Sequence, residues 1–306
     1  MKGNILFLFF NDPRNNNILL DEIDKIEGVS SACVLRPVGL FLRLLRRIHI
    51  ASGLPGISIW FLDWKKNIEN YNIVVCIASR YSPGILRWVK RKNPRARCIN
   101  YFWDSVAISR YPIKSSDDFE NWSFNSEDCK KYNMHYNPQF FISNIKLRGK
   151  EIYDVTYVGA DRNGILQSRS KLVKKYDELF TQYKIKHYFY YVSDSEIVPK
   201  QIRHSKPLSE QQFYDVSAQG KAMLDIVEPD VQWLTLRPLL AIKNGKKVIT
   251  NNKNICNEIF YSKDNVFILG VDNMNNLKKF VTSDFKKIDE SYLKYYSVEE
   301  WIKRFN

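Results

Sequence analysis

At 306 residues, with 44% hydrophobic and 26% charged side chains, the chain has the composition of a folded globular protein and room for two domains. That excludes a disordered tail, a collagen-like fibre and a disulfide-stapled mini-domain. A formal net charge of +14 calls for an anionic partner, while five cysteines without a C-x-x-C pair argue for a reducing compartment rather than a disulfide framework.

The apolar run Ile5 to Phe10 is too short for a signal peptide and runs into Asn11, Asp12 and Pro13, so it reads as a first buried strand. A helix is predicted over Ile18 to Ile26 and a strand over Ser31 to Leu35. Asn72 to Ala78, NIVVCIA, is the unbroken apolar run of a strand buried on both faces. Ser82 and Pro83 then open a helix, and Cys98 to Trp103 follows as the next strand. Strand, helix, strand at this spacing predicts a parallel sheet. The polar stretch Ile113 to Asn133 reads as a loop, followed by the segment Tyr136 to Phe141 and a domain boundary between Asn144 and Lys150.

A second alternating series is predicted beyond it. Its strands are Asp154 to Gly159, His187 to Val192, Lys221 to Val227, Lys247 to Thr250 and Val266 to Leu269. Its helices are Ser168 to Tyr183, Glu210 to Ala218 and Leu234 to Lys243. The expected fold is α/β: two Rossmann-like domains, residues 1–143 and 151–285, with a cleft between them and ligands at the carboxyl ends of the strands. Residues 286–306 close the chain with a helix over Tyr296 to Phe305, where Ser297 and Glu300 have capping-box spacing. No run approaches the roughly 18 apolar residues of a membrane span, so a cytoplasmic protein is expected.

Between Arg36 and Arg97 stand thirteen basic residues against two acidic ones, so the positive charge is concentrated there. Such a patch suits nucleic acid, an anionic membrane surface or a phosphorylated substrate. Gly39 to Ile50, GLFLRLLRRIHI, sets Arg43, Arg46 and Arg47 among leucines at helical spacing. Two readings stand: an interfacial amphipathic helix, or a surface helix whose apolar stripe lies in the core. With no helix-turn-helix, RNP-type or Cys/His finger signature, no nucleic-acid partner is expected. The four histidines show no metal-ligand spacing, and no metal is expected.

Phosphate is best sought where a strand feeds a helix, because free N–H groups and the helix dipole favour an anion there. Neither G-x-G-x-x-G nor a Walker A sequence occurs, but two turns qualify. In YVGADRNGILQSR, Gly159 ends a strand, Gly164 lies in the loop, and Arg162 and Arg169 are placed to reach a diphosphate; a common βα loop with solvated arginines is the alternative. In LDIVEPDVQWLTLRPLLAIKNGKKVIT, Thr235 is a candidate cap and Arg237 falls in the first helical turn, a mismatch with the dipole that an anion would relieve. Asp104 and Asp12, each following a strand, are candidate acid/base carboxylates, or else turn and cap aspartates. Tyr101, Phe102 and Trp103 read as core.

The stretch LTLRPLLAIKNGKKVITNNKNI with EIFYSKDNVFILG resembles the C-terminal half of bacterial group-one glycosyltransferases of the GT-B fold. The likeness is to lipopolysaccharide, capsule and exopolysaccharide proteins akin to spore-maturation glycosyltransferases. YFWDS, FNSEDCKKYNMHYNPQFF and DVTYVGADRNGILQSR resemble that group's first-domain end, hinge and second-domain opening, so the likeness runs from about Cys98 to Gly270. The resemblance implies transfer of a sugar from a nucleotide-sugar, held by the C-terminal domain, to a lipid-linked or oligosaccharide acceptor held by the N-terminal one. It implies no cofactor. It places the diphosphate on backbone amides near Leu234, Thr235 and Leu236, aided by Arg162, Arg169 and Arg237, and lets the last helix pack back on the first domain. Arg43, Arg46 and Arg47 would then face the acceptor or the membrane from the inner side. One position departs from the group's pattern: where a glutamate usually meets the donor ribose, this chain has Leu240. Altered ribose binding, an unusual donor and a non-catalytic binding partner all follow as alternatives.

Overall fold

The computed structural model describes residues 4–10, 18–109, 113, 115–161, 167–228, 231 and 233–306. The chain forms two compact units, Met1–Ile142 with Val298–Asn306, and Ser143–Ser297.

In the first unit the elements run β1 (Ile5–Phe9), α1 (Ile18–Ile23), β2 (Val29–Cys33), α2 (Leu40–Ser52), β3 (Ile73–Ile77), α3 (Ser82–Lys92), β4 (Arg97–Phe102), α4 (Val106–Ser109), β5 (Glu120–Ser123), α5 (Ser126–Tyr132) and β6 (His135–Tyr136). They build a sheet of order β2-β1-β3-β4-β5-β6 in which every pair is parallel. β1 is buried throughout and β3 almost so, as unbroken apolar runs must be when helices cover both faces. α3 begins with Ser82 and with Pro83 in its first turn, as predicted.

The expected loop over Ile113 to Asn133 is corrected: it contains β5 and α5. Two of its polar residues are bonded within the fold, while Ser115 and Asp117 are exposed. Asn121 Oδ1 accepts from Asn100 Nδ2 at 2.9 Å, and Asn100 Oδ1 from Ser82 Oγ at 2.7 Å. Asn125 caps α5 by accepting from the Glu127 N–H at 3.0 Å. A polar count alone misreads such a segment.

In the second unit follow β7 (Tyr153–Asp161), α6 (Gln167–Gln182), β8 (His187–Ser193), β9 (Arg203–His204), α7 (Glu210–Ala218), β10 (Gly220–Asp225), α8 (Leu236–Lys243), β11 (Lys247–Thr250), β12 (Val266–Ile268), α9 (Leu277–Thr282) and α10 (Glu290–Tyr295). The sheet order is β12-β11-β10-β7-β8-β9, again all parallel. Counted from β7, this is the 3-2-1-4-5-6 order of a Rossmann sheet, and the chain reverses direction across the sheet between β7 and β10. Val155, Phe180, Phe189, Leu224 and Ile249 form part of its core.

The helix predicted over Tyr296 to Phe305 is the shorter α11 (Val298–Lys303), which belongs to the first unit. Trp301 is fully buried there, with ring centroids 5.4 Å from Phe7, 5.1 Å from Tyr101 and 4.3 Å from Phe140. Tyr101 and Phe102 are core residues, as expected. Arg97 Nη1 donates to the Phe305 carbonyl at 2.6 Å, tying the chain end to β4. All five cysteines are free, and no described helix is long and apolar enough to cross a membrane.

Candidate functional site

β10 ends at Asp225, only 1% exposed. A carboxylate taken so far out of water needs partners, and it has three. Its Oδ1 accepts from Thr235 Oγ1 at 2.8 Å and Arg237 Nη1 at 3.0 Å, and its Oδ2 from Thr250 Oγ1 at 3.1 Å. Arg237 also donates through Nη2 to the Val158 carbonyl of β7 at 2.9 Å, and its guanidinium lies 5.0 Å from the centre of the Tyr157 ring. One side chain thus spans the point where strand order reverses. Burial raises the Tyr157 phenol above its ordinary pKa, against the pull of Arg237 and Arg169.

These contacts place two of the expected donor residues. The Thr235 hydroxyl is taken by Asp225, so α8 starts without a side-chain cap, and Pro238 in its first turn has no N–H to offer. What remains at the helix start is backbone N–H groups at the carboxyl edge of the sheet, a polarity that favours an anion. The segment before it is pinned from β11: Asn251 brackets Val227, accepting from its N–H and donating to its carbonyl, both at 2.8 Å. Asn252 Nδ2 holds the Trp233 carbonyl at 2.9 Å.

Arg169, in the first turn of α6, has Nε 3.5 Å from Glu228 Oε1, and the Ser168 hydroxyl donates to the same carboxylate. The Nε atoms of Arg169 and Arg237 and Glu228 Oε1 are buried without a hydrogen bond. Gly159 has a packing reason of its own. A Cβ there would lie 2.5 Å from the Tyr157 hydroxyl, so a larger residue displaces the ring beneath Arg237. Arg162 and Asp12 lie outside the described residues. Leu240 sits half-buried on α8.

The remaining candidates belong to the first unit. Asp104 is an exposed residue just past β4, and desolvation of its carboxyl raises its pKa. On α2, Arg43 Nε donates to the Val38 carbonyl at 3.1 Å, Arg46 Nη1 to the Arg36 carbonyl at 2.8 Å, and Arg47 is exposed. Burial lowers the Arg46 pKa. Among the described residues no cluster of His, Cys, Asp and Glu could hold a metal ion.

Sequence reasoning missed Asp225, Glu228, Asn251 and Asn252. The sequence shows only that Asp225 closes an apolar strand, which marks a carboxylate in need of partners without naming them.

No protein-family model matches the sequence, and no curated protein matches it significantly. Solved structures do. A glycosyltransferase from Rickettsia africae superposes with a TM-score of 0.51 at 12% identity, covering 98% of this chain and 87% of that one. HepE of Anabaena, solved with UDP and glucose, superposes at 0.50 with 8% identity, covering 98% and 94%. At such identities the likeness defines the fold, and with the two parallel sheets it makes this a GT-B chain.

Proposed function

We propose that this chain is a glycosyltransferase that takes its sugar from a nucleoside-diphosphate sugar and passes it to a lipid-linked glycan acceptor of a bacterial surface polysaccharide. The observation that carries this is the uncapped start of α8 at the strand-order reversal of a Rossmann sheet, beside Arg169 and Arg237. An anion there gains the amide dipoles and a nearby guanidinium in partly buried surroundings, where such interactions are strong. Charge developing on the departing phosphate is the charge that arrangement stabilises, without a metal. Asp104, with its raised pKa, is the candidate to accept the acceptor's proton or to orient its hydroxyl.

The basic region Arg36 to Arg97 supports an acceptor presented at an anionic membrane, with the protein attached peripherally on the inner face. Leu240 on α8 supports a second reading, a GT-B scaffold that binds beside an active transferase without catalysing transfer. Calorimetry and sugar-release assays with UDP-, GDP- and CMP-sugars separate them. A transferase binds and slowly hydrolyses one donor class, the scaffold hydrolyses none, and failure to bind any nucleotide-sugar overturns both readings of the α8 site.

A further inference from the structure

α2 is the one helix among those described that turns a row of large apolar side chains away from the protein. Leu40, Phe41, Leu44, Leu45 and Ile48 are 82%, 72%, 55%, 41% and 57% exposed. At 3.6 residues per turn these five positions fall in one arc of about 140°. Leu42, 43% exposed, falls about 60° beyond that arc, and the rest of the opposite side makes the contacts with its own unit. Ile50 is buried, Arg46 holds the Arg36 carbonyl, and His49 accepts from Trp60 Nε1 at 3.1 Å. Leu54 and Ile59, in the segment that follows, are also exposed. A core-facing helix has the reverse arrangement.

We infer that α2 lies in the surface of an anionic phospholipid bilayer, with Leu40, Phe41, Leu44, Leu45 and Ile48 among the acyl chains and Arg43 and Arg47 against lipid phosphates. The occupant follows from charge and shape. α2 carries no acidic residue, and the region from Arg36 to Arg97 is overwhelmingly basic. Arg47 is exposed and follows the apolar arc by one helical step, so a partner meeting the arc also meets a cation. A convex ridge of leucines needs no matching groove when the partner is a fluid interface, whereas a protein partner must supply one. This inference builds on the membrane-facing part of the proposed function and is independent of the donor site.

The test is co-sedimentation of the full chain with vesicles of phosphatidylcholine alone and of phosphatidylcholine with phosphatidylglycerol. The wild type is expected to bind the anionic vesicles, bind neutral ones far less, and weaken as salt rises. F41S/L44S and R43Q/R47Q are each expected to lower the anionic-vesicle affinity by about tenfold or more. Because these side chains are exposed, thermal unfolding should be unchanged in the F41S/L44S chain. Vesicle binding that is absent, or unmoved by F41S/L44S, overturns the inference. So does sedimentation equilibrium showing a dimer that F41S/L44S dissolves while vesicles are ignored, which assigns the ridge to a second copy of the chain. Nucleotide-sugar calorimetry on the same samples reads the donor site separately: loss of donor binding with vesicle binding intact removes the donor reading alone.

Discussion

Arg237 meets Asp225 at 3.0 Å across the strand-order reversal of the second sheet, with the carboxylate 1% exposed and the guanidinium stacked over Tyr157. The pair holds the start of α8 against both central strands. Among the described residues Arg237 is the one cation bonded to the buried Asp225 carboxylate, so Arg237→Ala should cost about 3 kcal/mol of stability by urea unfolding, together with weaker nucleotide-sugar binding. D225N/R237M removes both charges and should recover much of the stability without restoring the affinity.

Gly159→Ala sets a methyl group 2.5 Å from the Tyr157 hydroxyl. The expected loss is about 1 to 3 kcal/mol, because the ring is packed between Arg237 and the core. Adding Tyr157→Phe removes the clashing oxygen and should return part of it, again measured by denaturant unfolding.

Asp104→Asn keeps shape and removes the basic oxygen. If this carboxylate handles the acceptor's proton, kcat should fall by about a hundredfold or more while the donor Kd stays unchanged. Equal losses in stability and binding would mark it as a turn residue.

Leu240→Glu places a carboxylate where the resembling transferases carry one. A charge-assisted hydrogen bond to a ribose hydroxyl should tighten nucleoside-diphosphate binding by about tenfold in calorimetry. Unchanged affinity would show that the ribose is held elsewhere.

His187 has an acceptor on each ring nitrogen: Asp177 Oδ1 lies 2.9 Å from Nε2, and the Ile185 carbonyl lies 2.9 Å from Nδ1. Burial pulls its pKa down, but these bonds and the Asp177 charge more than offset that, and the net direction is upward. A raised folded-state pKa stabilises fully below the unfolded value near 6.5 and is lost as pH rises through the folded value. His187→Gln should therefore cost about 1 kcal/mol at mildly acidic pH and progressively less above neutrality, followed by thermal unfolding across that range.

Much of the fold was legible. β3, α7 and β11 lie within a residue of their expected ends and α3 starts at Ser82 as expected, because unbroken apolar runs and Ser-Pro or capping signals are local properties of the chain. β5 was not legible, because the polar Asn121 bonds Asn100 of the neighbouring strand, a partner that only the folded sheet supplies, whereas α5 carried a local signal in Asn125, which caps it through the Glu127 N–H two residues on. At the candidate site, Thr235 and Arg237 were legible as residues at a strand-to-helix turn. Their shared partner Asp225 was not, because nothing in LDIVEPD says which side chains will meet the carboxylate.

By itself, the order of residues determined an α/β chain in two parallel halves, a concentration of basic charge in the first, and a strand-to-helix turn holding Thr235 and Arg237 in the second. Those follow from hydrophobic period, charge count and turn chemistry, which depend on near neighbours in the chain. Only the tertiary structure decided that the apolar stripe of α2 faces outward and that Arg237 is bonded to Asp225 and Val158. Both outcomes depend on which distant surfaces cover a residue, since a leucine at helical spacing reads the same on either side of its helix until the rest of the unit packs against one of them.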